Sequence, residues 1–121
     1  MGIIALHPEE GAESDVLRLT GLTAPGLTAR LDTELEEIAE MLSRVALAHA
    51  EGKPEAMRRA ASRLGARCGA LGLLRVARVA RTVERLATEP DETALAANVA
   101  RLDRLGHATL HAIWSLQDLP G

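Results

Sequence analysis

The sequence predicts an all-α domain folded as an antiparallel, up-down-up-down four-helix bundle. Alanine and leucine, both strong helix formers, supply 22 and 20 of the 121 residues. Phe and Tyr are absent and Trp114 is the only aromatic residue, so the residue types that fill strands are scarce. Apolar residues recur three and four positions apart in four stretches, as on the buried face of a helix. Four such helices joined by short turns form a bundle of this kind.

A length of 121 residues fits one domain with one core. Residues 1–24 lack a helical period, so we expect an N-terminal arm there and a bundle over residues 25–119. No apolar run approaches the ~20 residues that span a bilayer, and Met1–Leu6 is too short and uncharged for a signal peptide. The single Cys68 cannot form an internal disulfide. We therefore expect a cytoplasmic protein.

Turn signals separate the four periodic stretches at Gly52-Lys53-Pro54, at Gly72 and at Thr88–Asp91. The first helix is predicted to begin near Leu27 and the third to run from Leu73 to Ala87. The inward-facing residues are predicted to be Leu31, Leu35, Ile38, Leu42 and Val45, then Met57, Ala60, Ala61, Leu64, Cys68 and Leu71, then Val76, Ala80, Val83 and Ala87, and finally Leu95, Val99, Leu102, Leu105, Thr109, Ile113 and Leu116.

Charge is distributed unevenly along the chain. Residues 1–52 carry 10 acidic and 3 basic groups, residues 53–87 carry 2 and 9, and residues 88–121 carry 5 and 2. Such polarity indicates either a partner of opposite charge or pairing between the protein's own helices. The net charge of −3, the acidic flanks and the single aromatic ring argue against nucleic acid as a partner. We expect no membrane partner either.

The second helix and the turn after it carry a resemblance to a known family. Residues 60–72 read Ala-Ala-Ser-Arg-Leu-Gly-Ala-Arg-Cys-Gly-Ala-Leu-Gly, and the next helix runs on to Val83-Glu84. This resembles the histidine-containing phosphotransfer (HPt) domain of bacterial phosphorelays. The signature of that family is a helix with His-x-Leu-Lys-Gly-Ser/Ala, a Leu-Gly turn, and a following helix that ends near Leu-Glu. The likeness covers roughly residues 27–117.

In this alignment the phosphorylated histidine of the family falls on Ser62, and its lysine falls on Gly65. The scaffold positions Leu64, Ala66, Leu71 and Gly72 match. A phosphoryl group on imidazole nitrogen is labile enough for reversible relay, whereas a serine phosphate ester is too stable. The resemblance therefore implies a degenerate HPt domain that is not an enzyme, needs no cofactor, and binds a receiver domain or a histidine kinase as an adaptor or regulator.

Helical geometry indicates a docking surface on the same helix. Small residues are predicted to face outward with arginines around them, so a partner's backbone could come close and meet positive charge. By resemblance, the complement is the acidic aspartate pocket of a receiver domain. The alternative interpretation is a solvated, Ala- and Gly-rich helix face. The predicted docking residues are Arg58, Arg59, Ser62, Arg63, Gly65, Ala66 and Gly69.

Histidines offer the remaining candidate sites. His107 and His111 lie four residues apart, but no third ligand is in register, so we expect surface histidines and no metal site. His49 is predicted to face inward, and Cys68 to be an inert core thiol. Two alternatives remain open: a working phosphotransfer protein whose acceptor is one of these three histidines, and a helical homo-oligomer with Trp114 at its interface. The expected state is a monomer or weak homodimer.

Overall fold

The computed structural model describes residues 28–117, with side chains from residue 30 onward. These residues form four helices and no strand: α1 Thr28–Ala50, α2 Pro54–Ala70, α3 Leu74–Leu86 and α4 Glu92–Gln117. The predicted all-α class and the number of helices are confirmed. The proposed N-terminal arm, residues 1–24, lies outside the described residues.

The ends of α1 and α2 have a local cause in the sequence. Gly52 and Gly72 adopt positive φ angles of 67° and 83°, and each is followed by a backbone N–H that bonds back into the helix just ended. Lys53 donates to the Ala48 carbonyl at 2.9 Å, and Leu73 donates to the Cys68 carbonyl at 2.8 Å. Both are glycine C-terminal motifs that require the left-handed conformation.

The starts of α2 and α4 also have a local cause. Pro54 occupies the first turn of α2, where its missing N–H costs nothing. At the start of α4, the Asp91 side chain accepts a hydrogen bond from the backbone N–H of Ala94 at 3.0 Å, which satisfies one of the free donors of the first turn. The three connections are therefore short, and consecutive helices must pack side by side.

The helices form a four-cornered bundle in which α1 packs on α2, α2 on α3, α3 on α4 and α4 on α1. Their apolar faces meet in one core that includes Leu35, Leu64, Val83 and Leu105, each fully buried. Most predicted inward positions are buried. Three are not, since Leu31 and Leu71 are half-buried and Leu116 is 40% exposed in the last turn of α4. The prediction for Leu116 was wrong because the apolar stripe of α4 continues past the core.

One close approach fixes the spacing of α1 and α4. An added Cβ at Gly106 would lie 2.6 Å and 2.7 Å from the two terminal methyl carbons of Leu42, well inside ordinary carbon contact. Gly106 therefore lets α4 approach the buried Leu42 side chain directly. Within residues 28–117, no helix combines the length and apolarity that crossing a bilayer requires.

Candidate functional site

A groove of about 810 Å³ runs between α1 and α2 on the outside of the bundle. Two adjacent helices always leave a furrow between them, and here both helices line it with a mixture of small, apolar and charged residues. The groove is lined by Glu37, Glu40, Met41, Arg44, Leu47, Ala48 and Glu51 from α1 and the turn after it, and by Lys53, Ala56, Arg58, Arg59, Ala60, Ser62, Arg63 and Arg67 from the turn and α2.

Apolar side chains form the floor of the groove. Met41 and Ala56 are half-buried, Ala48 and Ala60 are buried, and Leu47 is 58% exposed. Leu47 and Met41 are apolar surface in the same groove, and covering apolar surface is favourable. They form its apolar part.

At one end of the groove, Arg67 of α2 ties the two helices together. Its Nη1 donates to Glu34 Oε1 of α1 at 2.9 Å and also contacts the carboxylate of Glu37. The hydrogen bond to Glu34, with the negative charge of Glu37, raises the pKa of the Arg67 guanidinium. Arg67 stays charged and engaged within the protein, so its role here is structural.

Further along α2, Arg58 is also engaged. Its guanidinium donates to both carboxylate oxygens of Glu55, one turn earlier. This hydrogen bonding lowers the pKa of Glu55 and raises the pKa of Arg58. Because both Glu55 carboxylate oxygens accept hydrogen bonds from Arg58, Glu55 holds Arg59 only weakly. The distance from Arg59 Nη1 to Glu55 Oε2 is 3.6 Å.

Arg63 is the cation of the groove that is most available. It is exposed, and it forms no ion pair with any residue in the described part of the chain. Together with the weakly held Arg59, it presents guanidinium donors that match carboxylate or phosphate oxygens in a fixed geometry. The groove rim also holds the surface pairs Arg44–Glu40 and Lys53–Glu51, which exchange partners at little cost.

Ser62 lies in the α2 wall of the groove and is half-buried. Its hydroxyl can donate and accept a hydrogen bond. No histidine of residues 30–117 lines this groove. The polar groups of the described groove walls are therefore guanidinium, ammonium, carboxylate and hydroxyl groups.

Four of the seven predicted docking residues, Arg58, Arg59, Ser62 and Arg63, line the groove together, and the predicted Ala66 is exposed one turn on. Gly65 is placed differently from the prediction. It is buried, and a Cβ there would be 3.6 Å from the Ala77 carbonyl oxygen and the Ala80 Cβ of α3. The helical-wheel prediction put Gly65 outward because it could not include the position of α3.

Gly69 also lies on the α3 side of α2. It is half-buried, and a Cβ there would be 3.4 Å from Nη2 of Arg81. Arg81 therefore lies along the notch that Gly65 and Gly69 leave in α2. The absence of side chains at these two glycines serves the packing of α3, and neither faces the groove.

The other candidate residues are dispersed. Cys68 is fully buried, as predicted, and His49 is half-buried. His107 is exposed with its Nε2 3.3 Å from Asp103 Oδ1, and His111 is exposed one turn later. Within residues 28–117, no three His, Cys, Asp or Glu residues are grouped so that they could hold a metal ion.

Sequence reasoning missed the α1 wall of the groove. Met41 and Leu47 contribute its apolar part, and Glu37 and Glu40 its acidic part. Leu47 gave one usable signal, since it is a large apolar residue off the core-facing stripe of α1. Which residues of α1 face α2 could not be read from α1 alone.

Comparison with protein-family models, with curated proteins and with solved structures found no match.

Proposed function

We propose that this chain is a binding module that docks a partner protein in the groove between α1 and α2. The observation that carries the proposal is Arg63, an exposed arginine with no ion-pair partner among the described residues, beside an apolar floor. A guanidinium rim around an apolar floor favours a partner with an apolar anchor and carboxylates or phosphates around it.

An antiparallel, HPt-like arrangement of the four helices is part of the proposal. Two contacts support it. Arg67 near the end of α2 bonds Glu34 near the start of α1, and Gln117 at the end of α4 donates to Asp32 at the start of α1 at 3.0 Å. In each case the end of one helix lies beside the start of its neighbour, as in antiparallel packing.

The resemblance to HPt domains narrows the partner to two-component signalling proteins. A receiver domain has an acidic pocket that complements the rim formed by Arg59 and Arg63, and a histidine kinase is the second option. Because Ser62 stands at the phosphoacceptor position, the module acts as an adaptor, competitor or regulator and passes no phosphate on. Charge pairing at an exposed rim predicts binding that weakens with salt.

The proposal is tested by titrating the full chain against purified receiver domains and kinase dimerisation domains, with calorimetry or interferometry as the readout. Arg63→Glu is expected to weaken binding at least about tenfold, since it replaces attraction by repulsion at the groove rim. Arg59→Glu should weaken it in the same direction.

Arg104→Glu is the matched control. Arg104 is an exposed arginine on α4, outside the groove, so its reversal makes the same change in net charge elsewhere. Binding that tolerates Arg63→Glu as well as it tolerates Arg104→Glu, or that ignores ionic strength, contradicts the proposal.

A further inference from the structure

Two outward-facing rows of side chains on α1 and α3 carry opposite charge. The acidic row of α1 consists of Glu36, Glu40, Ser43 and Leu47, and the arginine row of α3 consists of Leu74, Arg78, Arg81 and Arg85. All eight residues are exposed. Each row ends in an exposed leucine, which is 58% exposed at Leu47 and 38% at Leu74.

The two rows cannot neutralise each other within one molecule. Helices α1 and α3 occupy opposite corners of the bundle, because each packs on α2 and on α4. Neighbouring helices pack about 8–10 Å apart, so helices at opposite corners are separated by more than the Debye length of about 8 Å at physiological salt. All eight residues are exposed, so each row is left facing solvent.

The spacings of the two rows match. Counting backward from Leu47, the other members of the acidic row are 4, 7 and 11 residues away, and counting forward from Leu74, the arginines are 4, 7 and 11 residues away. Because residues at these intervals lie on one helix face, each row is a line about 16 Å long. The two rows are therefore complementary when the helices run in opposite directions.

We propose that the occupant of each row is the opposite row of a second copy of this chain. The acidic row of one copy packs antiparallel on the arginine row of the next, so that the two leucines cover each other and every charged or polar side chain meets a donor or an acceptor. The pairs in this register are Leu47 with Leu74, Ser43 with Arg78, Glu40 with Arg81, and Glu36 with Arg85.

Existing contacts within one copy leave these groups available. Glu36, Arg78 and Arg81 form no ion pair with any residue between 30 and 117. Arg81 lies along the notch in α2 and is still exposed. Glu40 pairs with Arg44 at 2.7 Å and Arg85 with Glu89 at 3.5 Å, and both pairs are more than two-fifths exposed on each side. Exposed surface pairs of this kind contribute little to stability, so exchanging them for contacts between copies costs little.

The assembly that follows is an open chain of copies. The interface is heterologous, since it joins two different faces, and those faces lie on opposite sides of the molecule. One helix packed on one helix buries less than the roughly 1,200 Å² of a standard interface, so the association is weak and concentration-dependent. It does not use Arg59, Ser62 or Arg63, although Glu40 and Leu47 also border the groove.

Sedimentation velocity of the full chain tests this proposal. The average mass is expected to rise with concentration up to about 1 mM at low salt, and to fall when ionic strength is raised to about 0.5 M. Glu36→Arg and Arg85→Glu are each expected to weaken association about tenfold, because each places like charges opposite one another.

An equimolar mixture of the two variants gives the decisive result. Each variant clashes with itself, but in the mixture the positive charge introduced by Glu36→Arg in one copy meets the negative charge introduced by Arg85→Glu in the other. The untouched Glu36 and Arg85 also meet. The mixture is therefore expected to associate as the wild type does. A wild-type chain that stays monomeric under all these conditions, single variants that associate normally, or a mixture that stays monomeric overturns the proposal.

Arg63→Glu is the control, because Arg63 lies in the groove and outside both rows. It is expected to leave self-association unchanged while weakening partner binding, so failure of the proposed function and failure of this inference give different results. Far-ultraviolet circular dichroism checks that each variant is folded. Should a charge-reversed variant not fold, Glu36→Gln and Arg85→Gln replace the pair, with an expected weakening of about threefold each.

Discussion

Gly106→Ala in α4 is expected to destabilise the bundle although it improves the intrinsic helix propensity. An alanine Cβ would lie 2.6 Å and 2.7 Å from the Leu42 methyl carbons and 3.2 Å from its Cγ. Leu42 is only 2% exposed and has little room to retreat. Overpacking of this kind costs about 1–3 kcal/mol, and the propensity gain over glycine returns about 1 kcal/mol, so the net loss is about 0–2 kcal/mol.

A double-mutant cycle with Leu42→Ala isolates the contact. Leu42→Ala alone is expected to cost about 2–5 kcal/mol because it leaves a cavity. In that background, Gly106→Ala meets no obstacle and is expected to stabilise by about 1–2 kcal/mol, through helix propensity and partial filling of the cavity. The coupling free energy between the two positions should therefore be about 1–4 kcal/mol.

Denaturant unfolding monitored by circular dichroism measures all four free energies of unfolding. Gly65→Ala provides the matched control, since Gly65 is also a buried helical glycine but its added Cβ would make only ordinary contacts at 3.6 Å. It is expected to stabilise the protein by up to about 1 kcal/mol. Equal stabilisation by Gly106→Ala and Gly65→Ala in the wild type would refute the proposed close approach of α4 to Leu42.

Three further predictions follow from single side chains. Thr109 is 1% exposed, and its hydroxyl has no hydrogen-bond partner among the described residues. Thr109→Val should therefore raise the free energy of unfolding by about 1 kcal/mol in denaturant melts. A lower free energy of unfolding would instead indicate that the hydroxyl has a hydrogen-bond partner. Arg58→Gln should raise the pKa of Glu55 toward its ordinary 4.5 in a carboxyl NMR titration. Because the pKa of Glu55 is lowered in the folded protein, its contribution to stability is present above about pH 4.5 and is lost as pH falls through the lowered pKa. An unchanged Glu55 pKa in Arg58→Gln would exclude Arg58 as the cause of the shift. Ser62→His alone should create an acid-labile phosphorylation site in a kinase mixture in which the wild type takes no such label. Label on the wild type that one His→Ala change removes would instead establish phosphotransfer.

The sequence predicted the four helices and most of the core because those features depend on residues within one segment. The three- and four-residue spacing of Leu35, Ile38 and Leu42 defines a buried face whichever helix covers it. The glycine turn at residue 52 likewise depends only on backbone conformation and the residues beside it. Such local signals need no knowledge of the neighbouring helices.

The site could be predicted only in part, because a groove belongs to two helices. The helical wheel of α2 correctly grouped Arg59, Ser62 and Arg63, which share a face with no neighbour over it. The wheel assigned Gly65 to the same surface because Gly65 lies 100° around the helix from the core-facing direction. A residue at that angle lies at the edge of the outward face, where the position of the neighbouring helix determines whether it is buried. Met41 could be assigned to the groove lining only once the position of α1 beside α2 was known.

Pairing within the molecule accounts for part of the uneven charge of the sequence, since Arg67 of α2 bonds the acidic start of α1. Arg63 and Arg85 face solvent at different corners, one in the groove and the other on the arginine row of α3. The groove and the acidic row share Glu40 and Leu47, but each interaction depends on a different arginine. Arg63→Glu should therefore weaken partner binding alone, Arg85→Glu should weaken self-association alone, and the double variant should show both effects additively, since the positions are on different helices. Loss of both interactions from either single change would mean that the groove and the row act as one surface, and the division of the charge into two binding faces would then be wrong.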